Sequence, residues 1–250
     1  MVFVGGDMSN CQIIRMIACK NVANSEKKSV ANDYFLIFMP QNKNNMEKQV
    51  KFAPNVMLLD ASFLDRVSTD IAGHFSQVIG RELAQAQLAD LLEYMALDAG
   101  IPVGENEVQV FFIYNGKASA QFHVLVPASL ESEIDGKAFK GKLGEFSLYA
   151  YQPSDMATTE DLFLETLELV IDSKEVKHIT AVPDEMQYAE KAVALLNKAE
   201  KKDAVVLMGM NPPVTEFSHR FETLGFPLLQ ALGVSPDELN KNRMQCPISV

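Results

Sequence analysis

Asn55-Val56-Met57-Leu58-Leu59-Asp60, continuing at once into Ala61-Ser62-Phe63-Leu64, is the stretch that decides the fold. From Val56 to Leu59 every residue is apolar, with no polar alternation. That pattern marks a strand covered on both faces, as in the middle of a parallel sheet. The strand ends in an aspartate, and helical periodicity begins immediately. Phe63, Val67, Ile71, Phe75, Val78 and Ile79 fall on one stripe of a helix over about 62–80, which Gly80 can close.

The alternation continues along the chain. A second helix is expected at about 82–98, with Leu88, Leu91, Leu92 and Met95 inward and Gly100 and Pro102 stopping it. Strands follow at 108–114, 145–151, 178–182 and 204–208, and 121–126 reads as a short added strand. The 145–151 run alternates and is expected towards an edge. Helices are expected at 160–173, capped by Thr158 or Thr159, and at 185–199, with Met186, Ala189, Val193 and Leu196 inward. Short helices are expected around 216–223 and 226–232. Strands separated by helices and joined by right-handed crossovers give a three-layer α/β/α sandwich on a mostly parallel sheet of about five strands.

Residues 46–235 read as a single domain, and 236–250 as a loose tail. Residues 1–45 differ in character. They hold five basic residues against three acidic ones, seven asparagines and two of the three cysteines. They read as a non-native or disordered extension, with Met46 as the natural start.

The net charge is −11, with 22 basic and 33 acidic residues. Nucleic-acid affinity comes largely from phosphate neutralisation, so there is no DNA-binding signature. Cys11, Cys19 and Cys246 form neither a disulfide framework nor a zinc pattern. No apolar run is long enough for a membrane helix. A reducing, cytoplasmic setting is the simplest expectation.

Several site chemistries are missing. No GxGxxG follows a strand, and there is no P-loop and no GxSxG elbow. What the chain offers is carboxylates at strand ends. Ligands of open parallel sheets bind outside the carboxyl ends of the strands. Asp60 ends one strand there, and Asp184 with Glu185 follows another. Asp161, Glu165, Glu168 and Asp172 lie on one stripe of the 160–173 helix. Only its first turn can approach the strand ends, because Glu168 lies about 10 Å down the axis from Asp161. Mg²⁺ and Mn²⁺ take such hard oxygen ligands and can activate water beside a phosphate. The ordinary explanation of each acid is that a helix N-terminus favours negative charge.

The order of elements resembles the NYN branch of the PIN-like ribonucleases. Leu58-Leu59-Asp60 is similar to the family's first motif, Asp161 to its acidic helix and Val182-Pro183-Asp184 to its third motif. The resemblance implies a PIN-like sheet, a divalent metal and RNA as substrate. It implies that Asp60, Asp161 and Asp184 converge as catalytic and metal-holding residues, with Glu185 or Glu165 adding an oxygen. The chain departs from the family at the partner positions. Asp60-Ala61-Ser62 replaces Asp-Xaa-Asn, Leu167 and Met186 replace second acids, and Val182-Pro183 replaces Ser-Gly. The Val-Pro-Asp element is also similar to one in a bacterial family without an assigned activity.

Two functions therefore compete. One is a Mg²⁺- or Mn²⁺-dependent ribonuclease or phosphoesterase with a degenerate acidic site. The other is a non-catalytic PIN-like module that binds or assembles with a protein partner. Residues 221–232 carry more apolar surface than a short terminal helix needs, so this stretch is expected to cover a sheet edge or, as one form of the second function, to join a homodimer.

Overall fold

Asp60 is where the first long strand becomes the first long helix. Its backbone is still extended (φ −73°, ψ 108°), and its carboxylate accepts the Phe63 N–H as an N-cap. The helix runs to Gly80, whose φ of 74° supplies the left-handed turn that ends it. In this computed structural model residues 4–5, 51–116, 120–154 and 156–243 are described.

In chain order the strands are β1 (Val4–Gly5), β2 (Asn55–Asp60), β3 (Ala86–Gln87), β4 (Asn106–Ile113), β5 (Leu125–Val126), β6 (Lys137–Lys140), β7 (Gly144–Tyr151), β8 (His178–Val182), β9 (Ala204–Gly209) and β10 (Arg220–Thr223). The helices are α1 (Ala61–Ile79), α2 (Leu88–Asp98), α3 (Thr159–Asp172), α4 (Ala189–Leu196), α5 (Gly225–Ala231) and α6 (Pro236–Arg243).

The main sheet has the order β1-β6-β7-β4-β2-β8-β9-β10. Six strands, β7 to β10 in that order, are parallel. β6 is antiparallel on β7, and the two residues of β1 are antiparallel on β6. From β2 the chain steps outward to β4 and β7, then returns to the other side of β2 for β8, β9 and β10. This is a doubly wound sheet, and its order reverses between β2 and β8.

Side chains alternate between two cores. Met57 and Leu59 of β2 pack with α1, α2 and α5, whereas Val56 and Leu58 pack with α3 and α4. The α/β/α sandwich expected from sequence is therefore present. Leu58, Phe111 and Val206 are buried, at 0%, 1% and 2% exposure, and Leu164 is partly buried.

The differences lie at the periphery. Residues 220–223 form β10, not a helix. Phe217, Phe221 and Leu224 happen to fit the helical period, but Phe221 and Leu224 pack on opposite faces of the sheet. The turn-rich 137–140 segment forms β6, which moves β7 off the edge. Helix α2 starts at Leu88, because Ala86–Gln87 pair with Leu125–Val126. Pro236–Arg243 are helical and not a loose end, with Glu238 held by Arg81. Leu224, Leu228 and Leu232 are buried with the α1 and α2 core, so α5 covers those helices. Residues 6–50, with the extension boundary at Met46, lie outside the described residues.

Candidate functional site

Because β2 and β8 pair in register, with Leu59 beside Val182, their chains leave the sheet side by side. This reversal point is where doubly wound sheets place ligands. Both chains leave it through an aspartate.

Asp60 is 2% exposed. One carboxylate oxygen accepts the Phe63 N–H at 2.8 Å, and the other accepts the Tyr188 hydroxyl at 2.5 Å. Asp184 is 0% exposed. Its Oδ1 accepts from Arg66 Nη2 at 3.0 Å and from the Met186 N–H at 2.8 Å, and its Oδ2 accepts from Gln187 Nε2 at 2.9 Å. Its carbonyl oxygen accepts the N–H groups of Gln187, Tyr188 and Ala189. Asp184 thus shapes the turn that carries Tyr188 back over the sheet.

Burial pushes the Asp60 carboxyl above its ordinary value, and the neighbouring Asp184 charge adds to this. The bonds from Tyr188 and Phe63 oppose both effects. Burial and the Asp60 charge push the Tyr188 phenol upward as well. Tyr188 itself is 2% exposed, and its ring packs at 5.2 Å on Phe163 of α3. It lies at the crevice outside the carboxyl ends of β2 and β8, bonded to Asp60 and packed on α3. Arg66 closes the other side, its guanidinium 5.4 Å from the centre of the Phe63 ring.

The other expected site residues go elsewhere. Asp161 is exposed and forms a capping box with Thr158, accepting that residue's N–H at 2.9 Å and its hydroxyl at 2.7 Å. Glu165 is half-buried on the next turn of α3. Glu185 accepts the N–H groups of Met210 and Asn211, the second at 3.0 Å, and Asn211 Nδ2 at 3.2 Å. Among the described residues no three of His, Cys, Asp and Glu are placed to hold a metal ion. Asp60 and Asp184 come together, and each oxygen already faces a protein donor. The Arg66 guanidinium stands beside Asp184, where a cation would neutralise the pair. This donor set does not fit Mg²⁺ or Mn²⁺.

Tyr188 is the residue that the apolar pattern alone misses. The expected inward stripe begins at Met186, which is instead 84% exposed. Val193 and Leu196 of that stripe are buried as expected, and Tyr188 and Ala192 are buried beside them. The usable signal is the phenol, since a buried Tyr hydroxyl usually finds a partner.

Beside the crevice lies a small apolar cleft, enclosing about 180 Å³ between the turn into α4 and the loop after β9. Pro183, Met186, Ala189, Leu207, Pro212 and Val214 are among its walls, with Glu185 and Glu190 at their edges. The two glutamates also fix the loop, because Glu190 accepts the N–H groups of Val214 and Thr215. A Cβ on Gly209 would meet the Glu185 carboxylate, which would have to move off the loop amides to make room. Among the described residues no helix is long and apolar enough to cross a membrane.

Comparison with known proteins adds the following. No curated protein matches the chain. A solved structure described as "Structural Basis for the Mechanism and Regulation of Sir2 Enzymes" aligns over 77% of this chain and 95% of its own, at 11% identity and a TM-score of 0.29. A family model matches residues 49–239, which cover the whole of the sheet from β2 to β10. The chain belongs to that family, a family of unknown function designated DUF6621.

Proposed function

We propose that this domain is a non-catalytic binding module, PIN-like in placing β2 beside β8 but without the metal chemistry of that group. One observation carries this reading. Both carboxylates at the sheet's reversal point are buried and satisfied by the protein itself, Asp60 by Tyr188 and Phe63, and Asp184 by Arg66, Met186 and Gln187. A nuclease needs such oxygens turned to a metal and a phosphate. Here Tyr188 stands at the crevice, and Asp161 closes its own helix cap. The acidic charge also favours a protein partner over RNA.

Purified protein incubated with labelled single-stranded RNA and Mn²⁺ or Mg²⁺ tests the proposal. The expected result is no cleavage above the blank. Metal-dependent cleavage that disappears in Asp60→Asn would overturn it and restore the ribonuclease reading.

A further inference from the structure

Among the described residues, five large apolar side chains are more than half exposed: Val103, Met156, Met186, Val214 and Phe226. Four of the five follow the carboxyl ends of parallel strands, and two of these, Met186 and Val214, line one cleft. Met156 lies in the connection after β7, Met186 after β8 and Val214 after β9, and Phe226 is in the first turn of α5, which follows β10. All four connections leave the carboxyl ends of parallel strands. Only Val103 sits at the opposite edge, just before β4. Met186 and Val214, exposed side by side on one cleft, mark an interaction surface more than a folding need.

The cleft is flanked by Met186 at 84% and Val214 at 95% exposure. Its volume of about 180 Å³ is below the roughly 300–1,000 Å³ of small-molecule and cofactor sites. It suits an apolar side chain. The surrounding charge is negative. Asp161, Glu185 and Glu190 lie around the same edge, and among the described residues its cations Arg66 and Lys191 are paired with Asp184 and Glu160. Phosphate is therefore disfavoured, and so is a second copy of a chain carrying −11.

We infer that the carboxyl edge of β8 to β10 docks a basic, amphipathic segment of a partner protein, with an apolar anchor in the cleft between Met186 and Val214. The inference rests on the binding-module reading and names the class of partner. Methionine at the rim suits such a groove, because its flexible thioether adapts to the side chain it meets. The segment's Lys or Arg residues would face Glu185 and Glu190, whose carboxylates are already fixed by the loop they hold.

The test uses the full chain and a fluorescent synthetic helix with one leucine face and one lysine face, followed by anisotropy. A helix of the same pattern with glutamate for lysine is the control. Saturable binding of the lysine helix is expected, with the glutamate helix weaker by at least about tenfold, or 1.4 kcal/mol. Met186→Asp and Val214→Asp, both at exposed positions, should keep the wild-type melting temperature and weaken binding by a similar factor. Val103→Asp should leave binding unchanged. The inference is overturned if the lysine helix fails to bind, if both helices bind equally, if Val214→Asp binds like wild type or if Val103→Asp weakens binding as much. Its failure is separable from that of the underlying reading. Loss of binding without RNA cleavage removes this surface alone, whereas RNA cleavage removes the non-catalytic reading whatever the helix does.

Discussion

Asp60, Tyr188, Asp184 and Arg66 form a chain of contacts in which each buried charge has a partner. A buried acceptor that loses its donor costs about 1–3 kcal/mol. Tyr188→Phe keeps the ring on Phe163 and removes only the hydroxyl, leaving one Asp60 oxygen without that donor. Urea unfolding should show a loss within that range, and a neutral substitution would mean that the bond contributes nothing. The pH dependence has a definite sign. Asp60 binds its proton more tightly folded than unfolded, so its contribution is complete below the ordinary value of 3.8 and is lost as pH rises through the raised one. At neutral pH the ionised group therefore works against folding. Asparagine remains a good N-cap and does not ionise. The melting temperature of Asp60→Asn should thus improve relative to wild type as pH is raised from about 4 towards 8. A gap that moves the other way would contradict the burial account. That Asp60 and Asp184 each end a buried strand was legible in the sequence, since each follows an apolar run that demands a central strand; that the two strands are neighbours was only implied by the resemblance. Their partners were not legible, because Tyr188 and Arg66 are distant in the chain and meet the acids only after folding.

At the scale of elements, the turn into α4 and the loop after β9 are joined by two glutamates. Glu185 accepts two loop N–H groups, and Glu190 accepts two more. The Thr215 hydroxyl and the Val214 N–H hold the Glu190 carboxyl below its ordinary value. Glu185→Ala should therefore speed hydrogen exchange at the Met210 and Asn211 amides while leaving the β8 and β9 amides protected. Unchanged exchange at those two amides would show that the loop is held by something other than the glutamate. Elements were legible where burial was complete and the pattern unambiguous, as in β2, β4, α1 and α3. They were misread at the edges. β6 and β10 are short and largely polar, and Lys137–Lys140 and Arg220–Thr223 carry weak patterns that pairing with a neighbouring strand decides. Helix α4 was expected too long, because Met186, which stands at the surface before it, was counted as its first core residue, whereas Val193 and Leu196 face inward as expected.

At the scale of the whole molecule, the doubly wound order follows from right-handed crossovers around a buried central strand. Alternation of strand and helix shows that class of fold. The order itself, with β2 and β8 adjacent, rests on long-range pairing that no local pattern encodes. That order brings two acids together at the point where related architectures hold ligands. In this chain Tyr188 and Arg66 take up the acids' bonding capacity, and apolar side chains line the neighbouring edge. A ligand that binds only the folded state raises its melting temperature by mass action. The melting temperature of wild-type protein with and without millimolar Mn²⁺ therefore tests the central claim directly. The account predicts no shift. A rise that Asp60→Asn abolishes would show that Asp60 and Asp184 still hold a metal, and would contradict it.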